Sequence, residues 1–175
     1  MEKEKLLSRK IIYEGRIIRV RIDSVRTADG RRTTREIVEH EPCIAVVPVV
    51  GDDVLLIRQY RQATGKELLE IPAGGIEAGE DPAAAVVREM REETGLKPGK
   101  VERLTGFYLS PGFCNEYLHL FLAQDFTPAP LKAEDTAGIE VVRTPVKEIY
   151  DLIASGKIED AKSIAGLLMY LHLKS

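Results

Sequence analysis

The sequence predicts a layered domain of mixed helix and strand, α+β or α/β, with an antiparallel β-ribbon at its N-terminus. Three observations lead there. Short apolar runs rich in branched residues are separated by turn-forming Gly, Pro and Asp. Helix-forming segments fall between some of these runs, without the regular strand–helix–strand rhythm of a parallel sheet. Residues 1–40 contain polar–apolar alternation but few large apolar side chains.

Taken in order, Arg19-Val20-Arg21-Ile22-Asp23 has the period of a half-buried strand. Ala28-Asp29-Gly30-Arg31 supplies the Asp-Gly of a tight hairpin, with Thr33–His40 as the returning strand. So core-poor a segment, residues 1–40, is expected to pack on the main domain, 41–175, or on a second subunit. Cys43–Val50 and Val54–Ile57, separated by Gly51-Asp52-Asp53, predict a hairpin of buried strands. Leu68–Ile71 predicts a short strand stopped by Pro72. A helix is expected over Pro82–Thr94, because Asp81 suits the N-cap, Pro82 the first helical position and Gly95 the position past the end. Val101–Tyr108, Glu116–Leu122 and Ile139–Arg143 predict further strands. Phe126–Gly138 lacks periodicity and predicts a long loop, a common seat of function. Pro145 opens a helix through Ile153, and Asp160 or Ser163 opens a last one to about Leu173.

The chain has 175 residues, 44% hydrophobic and 30% charged, which excludes a disordered, collagen-like or low-complexity chain. Its longest nearly unbroken apolar run, Cys43–Val50, is too short for a membrane span, so no membrane partner is expected. Met1-Glu2-Lys3-Glu4-Lys5 is charged and has no signal-peptide apolar stretch behind it. Cys43 and Cys114 form no framework, and a reducing cytoplasm is the expected compartment. His40, His119 and His172 lack metal-ligand spacing. The basic N-terminal segment lacks interleaved aromatics beyond Tyr13, so no nucleic-acid partner is expected.

Glu77–Glu93 holds six acids and two bases. At about 100° per residue, Glu89, Glu92 and Glu93 share one face of the expected helix, beside the apolar face of Ala83, Val86, Val87 and Met90. Taken alone, such a cluster reads as an acidic surface helix. Like charges at these spacings repel, however, and a divalent cation with hard oxygen ligands would relieve them.

The context settles the matter. Gly74, Glu80, Arg88, Glu89, Met90, Glu92, Glu93, Gly95 and Leu96 fill every defined position of a 23-residue pattern: Gly, five residues, Glu, seven residues, Arg-Glu-apolar-any-Glu-Glu-any-Gly-apolar. The stretch resembles the signature box of the Nudix hydrolases. That resemblance implies an α/β/α layered fold with a mixed sheet between helices. It also implies hydrolysis of a nucleoside diphosphate linked to another group, with Mg²⁺ or Mn²⁺ held by the box. Glu89 and Glu93 are the implied metal ligands, with Glu92, Glu80 and the Ala73 carbonyl supporting and Arg88 orienting the glutamates.

Outside the box, Arg35-Glu36-Ile37-Val38-Glu39-His40, Arg58-Gln59-Tyr60-Arg61, Glu70-Ile71-Pro72-Ala73-Gly74 and Ser110-Pro111-Gly112-Phe113 resemble the ADP-ribose pyrophosphatases. Pro111 matches a marker of ADP-ribose preference in that group. The resemblance implies a homodimer that exchanges the N-terminal ribbon, so that each active site draws on both chains. Arg61 would then bind phosphate or terminal ribose and Glu36 the adenosine end, with Arg35, Glu70 and Phe113 as further substrate contacts and Glu116 adding charge near the metals.

One departure stands out. The group often has a Glu, proposed as catalytic base, where this chain has Ala137. The loop acids Glu134 and Asp135 are the expected substitutes, with the box residues Glu92 or Glu93 as the alternative. The function expected is Mg²⁺-dependent cleavage of ADP-ribose to AMP and ribose 5-phosphate. Other nucleoside diphosphate derivatives, such as GDP-mannose or a dinucleotide, form the alternative within the enzyme class. A non-catalytic nucleotide-sensing regulator is disfavoured by the intact box.

Overall fold

The computed structural model describes residues 3–133 and 136–174. Its chain divides into two compact units, one of residues 1–42 and 107–117 and the other of residues 43–106 and 118–175.

The first unit is built on a three-stranded antiparallel sheet in the order β1 (Lys5–Glu14), β2 (Ile18–Arg26), β3 (Arg32–His40). The Asp-Gly turn closes the second hairpin, with Gly30 at φ 85° and Arg26 opposite Arg32. Alternation in β2 sends Asp23 and Val25 inward. Burying a carboxylate requires partners; here Arg9 and Arg21 supply them at 3.1 and 2.8 Å. The segment 107–117 joins β3 through Val38, whose N–H donates to the Phe113 carbonyl and whose carbonyl accepts from Asn115. All ten residues of β1 are exposed, Leu6, Ile11, Ile12 and Tyr13 among them.

The second unit is a mixed sheet between helices. The strand order is β10 (Glu140–Pro145), β5 (Asp53–Arg61), β4 (Cys43–Val50), β9 (Tyr117–Pro128), β8 (Leu96–Tyr108). Two short strands branch from it, β6 (Lys66–Glu70) on β5 and β7 (Ala73–Gly75) on β4. Strands β4 and β9 run parallel, and β4 with β5 antiparallel. Three helices follow the sheet: α1 (Pro82–Thr94), α2 (Ile149–Ala154) and α3 (Ala161–Lys174).

The buried strand β4 has an apolar side chain on both faces, as a central strand between helices requires. Ile44 and Val46 pack with Ala85, Val86 and Met90 of α1. On the other face Gly166 of α3 lies so close to Val47, Leu120 and Ile71 that an added methyl would sit 3.0 to 3.3 Å from them. Each fully buried aliphatic side chain contributes about 1.5–3 kcal/mol. This α/β/α arrangement is the fold class the sequence predicts.

Helix α1 forms as its punctuation dictates. Asp81 caps it, accepting from Ala83 and Ala84 N–H at 2.9 and 3.4 Å. Such a cap stabilises by about 1 kcal/mol. Gly95 ends the helix in the left-handed region at φ 73°.

Other boundaries differ from expectation. Residues 73–75, just past the Pro72 stop, form β7, because Val46 N–H reaches the Pro72 carbonyl and pairing with β4 continues from there. Strand β8 begins at Leu96 instead of Val101 and so includes Pro98 and Gly99. An edge position in the sheet order tolerates proline. Gly99 admits the Asp125 carbonyl, which a Cβ would meet at 2.9 Å. Strand β9 runs on to Pro128, shortening the expected loop. The helix expected from Pro145 is a 3₁₀ turn, Val146–Glu148, followed by α2.

Candidate active site

Three side chains of α1, Glu89, Glu92 and Glu93, line a cavity of about 310 Å³ in the second unit. Strand β7 forms another wall, with Ala73, Gly74 and Gly75. Gln59 and Arg61 enter from the end of β5, and Ala133 and Thr136 border it from the connection between β9 and β10. The helical spacing therefore does what the sequence suggests, placing three carboxylates on one accessible face beside the core.

Arg88 organises them. Its Nε and Nη2 donate to the two oxygens of Glu80 at 3.0 and 2.9 Å, while Nη1 donates to Glu89 at 2.6 Å and Glu92 at 3.4 Å. Nη2 also donates to the Gly75 carbonyl at 2.8 Å, tying helix to strand. Glu80 in turn accepts from Glu77 N–H at 2.9 Å. The Arg88 fork holds the Glu80 carboxyl below its usual range. Both Glu80 oxygens thus accept hydrogen bonds from Arg88.

Gly74 is a close-approach glycine. A Cβ at this position would meet the Glu89 carboxylate at 2.0 Å, so a side chain here would displace that carboxylate. Burial raises Glu89 above the usual carboxylate range despite its arginine partner. Glu93 is pushed up to about 8, first by burial and then by the neighbouring Glu89 charge. Ala73 N–H donates to Glu93 Oε2 at 3.2 Å and partly offsets this.

Arg61 lines the same cavity. Arg61 donates from Nε and Nη2 to the two oxygens of Glu70 at 2.8 and 2.7 Å. Glu70 is 1% exposed. Burial would raise its pKa, but the hydrogen bonds from Arg61 and Lys162 hold it below the usual range. Glu70, expected as a substrate contact, is enclosed between Arg61 and Lys162.

Gln59, within Arg58-Gln59-Tyr60-Arg61, carries no role expected from the sequence. Its Oε1 is buried and lacks a hydrogen-bond partner among the described residues. An orphaned acceptor at a cavity of carboxylates leaves room for a donor from outside the chain, such as a bound water or a ligand hydroxyl. The oxygen-only donor set of Glu89, Glu92 and Glu93, with two carboxylates held above their normal range by burial, fits a hard divalent cation.

Arg35, Glu36, Pro111 and Phe113 lie together in a different cleft, of about 360 Å³, within the first unit. Tyr108 and Gly112 share it. Phe113 is 57% exposed. Arg35 pairs with Glu4. Glu116 is not among the residues lining either cleft. Glu134 and Asp135 lie outside the described residues.

Carboxylates of one helix, a glycine strand and an arginine fixed by Glu70 thus line one cavity. Comparison with known proteins gives the family. The NUDIX domain model matches residues 39–167, and the model described as the nucleoside diphosphate sugar hydrolase N-terminal domain matches residues 4–38. The chain belongs to the Nudix family and is a Nudix hydrolase. It is 34% identical to the ADP-ribose pyrophosphatase of Bacillus subtilis, over 98% of this chain and 94% of that protein. It is 33% identical to the methanol dehydrogenase activator of Bacillus methanolicus, over 98% and 94% respectively. A crystal structure described as an ADP compounds hydrolase superposes with a TM-score of 0.92 at 23% identity, covering 99% of this chain and 95% of the other, and shares the fold. No described helix is long and apolar enough to cross a membrane.

Proposed function

We propose that the protein is a homodimeric, Mg²⁺-dependent cytoplasmic hydrolase that cleaves ADP-ribose to AMP and ribose 5-phosphate. The observation that carries this reading is the cavity in which Glu89, Glu92 and Glu93 face Arg61. The Bacillus subtilis relative, similar over nearly its whole length, supports the choice of substrate.

In this reading Glu89 and Glu93, with the Ala73 carbonyl, hold the cation. A cation held there would supply charge neutralisation for the pyrophosphate and a lowered pKa for bound water. Mg²⁺ is favoured over a softer metal because every side-chain donor is a carboxylate. Arg88 fixes Glu89 and Glu92 relative to each other, and Gly74 lets Glu89 lie against β7. Arg61 binds a phosphate oxygen. Water adds to one phosphorus as the bridging P–O bond breaks, and the departing phosphate oxygen carries away the electron pair. Glu92 takes the water proton: it lines the cavity and is only loosely held, 3.4 Å from Arg88. The loop acids Glu134 and Asp135 are the alternative base. Arg35, Glu36, Pro111 and Phe113, gathered in one cleft of the first unit, bind the adenosine end.

The domain assignment, a ribbon of residues 1–40 for dimerisation and a catalytic domain of 41–175, belongs to the same reading. Strand β1 supports it. An edge strand with every residue exposed and Leu6, Ile11 and Ile12 at 44–50% exposure is a surface suited to a second copy of the chain.

A substrate panel tests the proposal: ADP-ribose, GDP-mannose, diadenosine polyphosphates and nucleoside triphosphates with Mg²⁺, for wild type and Glu93→Gln. The expected result is preference for ADP-ribose, abolished in the variant. Preference for another substrate, still lost in the variant, would overturn the substrate while keeping the site. Activity unaffected by Glu93→Gln would overturn the site.

A further inference from the structure

The carboxylate that fixes Arg61 is itself shared with a second cation. Glu70, at the end of β6, accepts from Lys162 Nζ as well as from Arg61. Lys162 is 9% exposed and comes from the first turn of α3. Asp160 accepts from the same Nζ at 2.8 Å and from Ser163 N–H at 3.0 Å, so the start of the helix sets where the lysine points. Ser163 Oγ accepts from Ile71 N–H at 2.8 Å, tying that turn to the residue after Glu70.

Two consequences follow for the cavity. Arg61 spends Nε and Nη2 on Glu70, and among the described residues its Nη1 has no hydrogen-bond partner. The fork fixes the guanidinium plane and leaves the remaining donors toward an incoming ligand. A buried carboxylate paired with Arg61 alone would also neutralise the arginine. Lys162 shares that carboxylate and is itself paired with Asp160, so the four charges sum to zero and the Glu70 charge is divided between two cations instead of falling on Arg61 alone.

We propose that Lys162 is a positioning residue for phosphate: it shares the Glu70 carboxylate, and so holds Arg61 in place with its outward donors and charge available to a substrate phosphate. The proposal rests on the reading of the Arg61 cavity as the pyrophosphate site. A lysine that served only as a buried counter-ion would support the fold but leave phosphate affinity unchanged.

The test compares Lys162→Met and Lys162→Arg with wild type. One arm titrates inorganic pyrophosphate into metal-free protein by calorimetry; the other measures KM and kcat for ADP-ribose with Mg²⁺. Lys162→Met is expected to weaken pyrophosphate binding about tenfold. KM should rise by a similar factor, with kcat within about threefold. Lys162→Arg should restore both. In an Arg61→Met background, Lys162→Met should change pyrophosphate affinity by less than about twofold, because the two act as a unit. If Lys162→Met leaves pyrophosphate affinity and KM within about twofold of wild type, the proposal fails, whatever happens to thermal stability. Should that variant not fold, Glu70→Gln carries the same expectation of weakened binding, and unchanged binding there overturns the proposal equally. Failure of wild type to hydrolyse ADP-ribose would sink the proposed function, while the pyrophosphate titration would still decide the role of Lys162.

Discussion

Glu93→Gln should make the metal-free protein more stable at alkaline pH while abolishing its activity. The carboxyl rises from the ordinary 4.5 to about 8 in the fold, through burial first and the Glu89 charge second. A group whose native pKa is raised binds its proton more tightly when folded. Its contribution to stability is therefore fully present below about pH 4.5 and lost as pH rises through about 8. At about 1.4 kcal/mol for each tenfold change in proton affinity, the upper bound of that loss is about 5 kcal/mol. Solvent reaching the cavity and relaxation of the pair reduce it, and about 1–3 kcal/mol is the expected difference at pH 8.5. Gln keeps the volume and an oxygen that can accept from Ala73 N–H, which donates to Glu93 at 3.2 Å. It removes only the charge. The assay is urea unfolding in chelator, at fixed protein concentration, from pH 5 to pH 9, reading the midpoint at constant slope. The two proteins should coincide near pH 5 and diverge above pH 7, with the variant the more stable. A Mg²⁺ titration at pH 8.5 should then stabilise wild type far more than the variant. A stability difference that does not grow between pH 5 and pH 8.5 would refute the reasoning, because Glu93 would then be freely solvated or already compensated.

The remaining predictions concern geometry. Gly74→Ala places a Cβ where the Glu89 carboxylate lies, at 2.0 Å, and should lower kcat about 100-fold through misplacement of that group, measured with saturating Mg²⁺. Gln59→Leu removes an acceptor that has no partner among the described residues, so metal-free stability should hold or rise while kcat/KM for ADP-ribose falls about tenfold. Glu92→Gln should lower kcat at least 100-fold. The double variant Glu134→Ala, Asp135→Ala should stay within about threefold of wild type; the reverse order would make the loop the source of the base. Replacing Leu6 and Ile12 with Lys on the exposed edge strand should convert the dimer to monomer in sedimentation, since the edge would then carry charge in place of apolar surface.

Much of this molecule is legible in local sequence because its signals are local. Asp81, Pro82 and Gly95 punctuate α1 without reference to anything distant, and the helix begins and ends where they say. The spacing of Glu89, Glu92 and Glu93 fixes their common face, since 3.6 residues per turn is a property of the backbone alone. The Asp-Gly turn likewise specifies its hairpin. The box pattern adds the family, and with it the fold class and the chemistry.

What the tertiary structure decided is everything that depends on residues far apart in the chain. Glu70 looks like a charged strand residue available to a ligand. It is enclosed instead, because Lys162, 92 positions away, arrives on α3 to satisfy it. Gly74 is a defined position of the box pattern, and its need is the approach of Glu89 from another element. Strand β8 extends through Pro98 and Gly99 because an edge position tolerates the one and the Asp125 backbone crowds the other. Propensity and periodicity act over a few residues, whereas burial, ion pairing and close packing are set by whichever segments the fold brings together. The sequence by itself therefore determined the helix that carries the carboxylates and named Arg88 and Gly74; only the packed structure determined what those two touch, and that Lys162 joins Arg61 on Glu70.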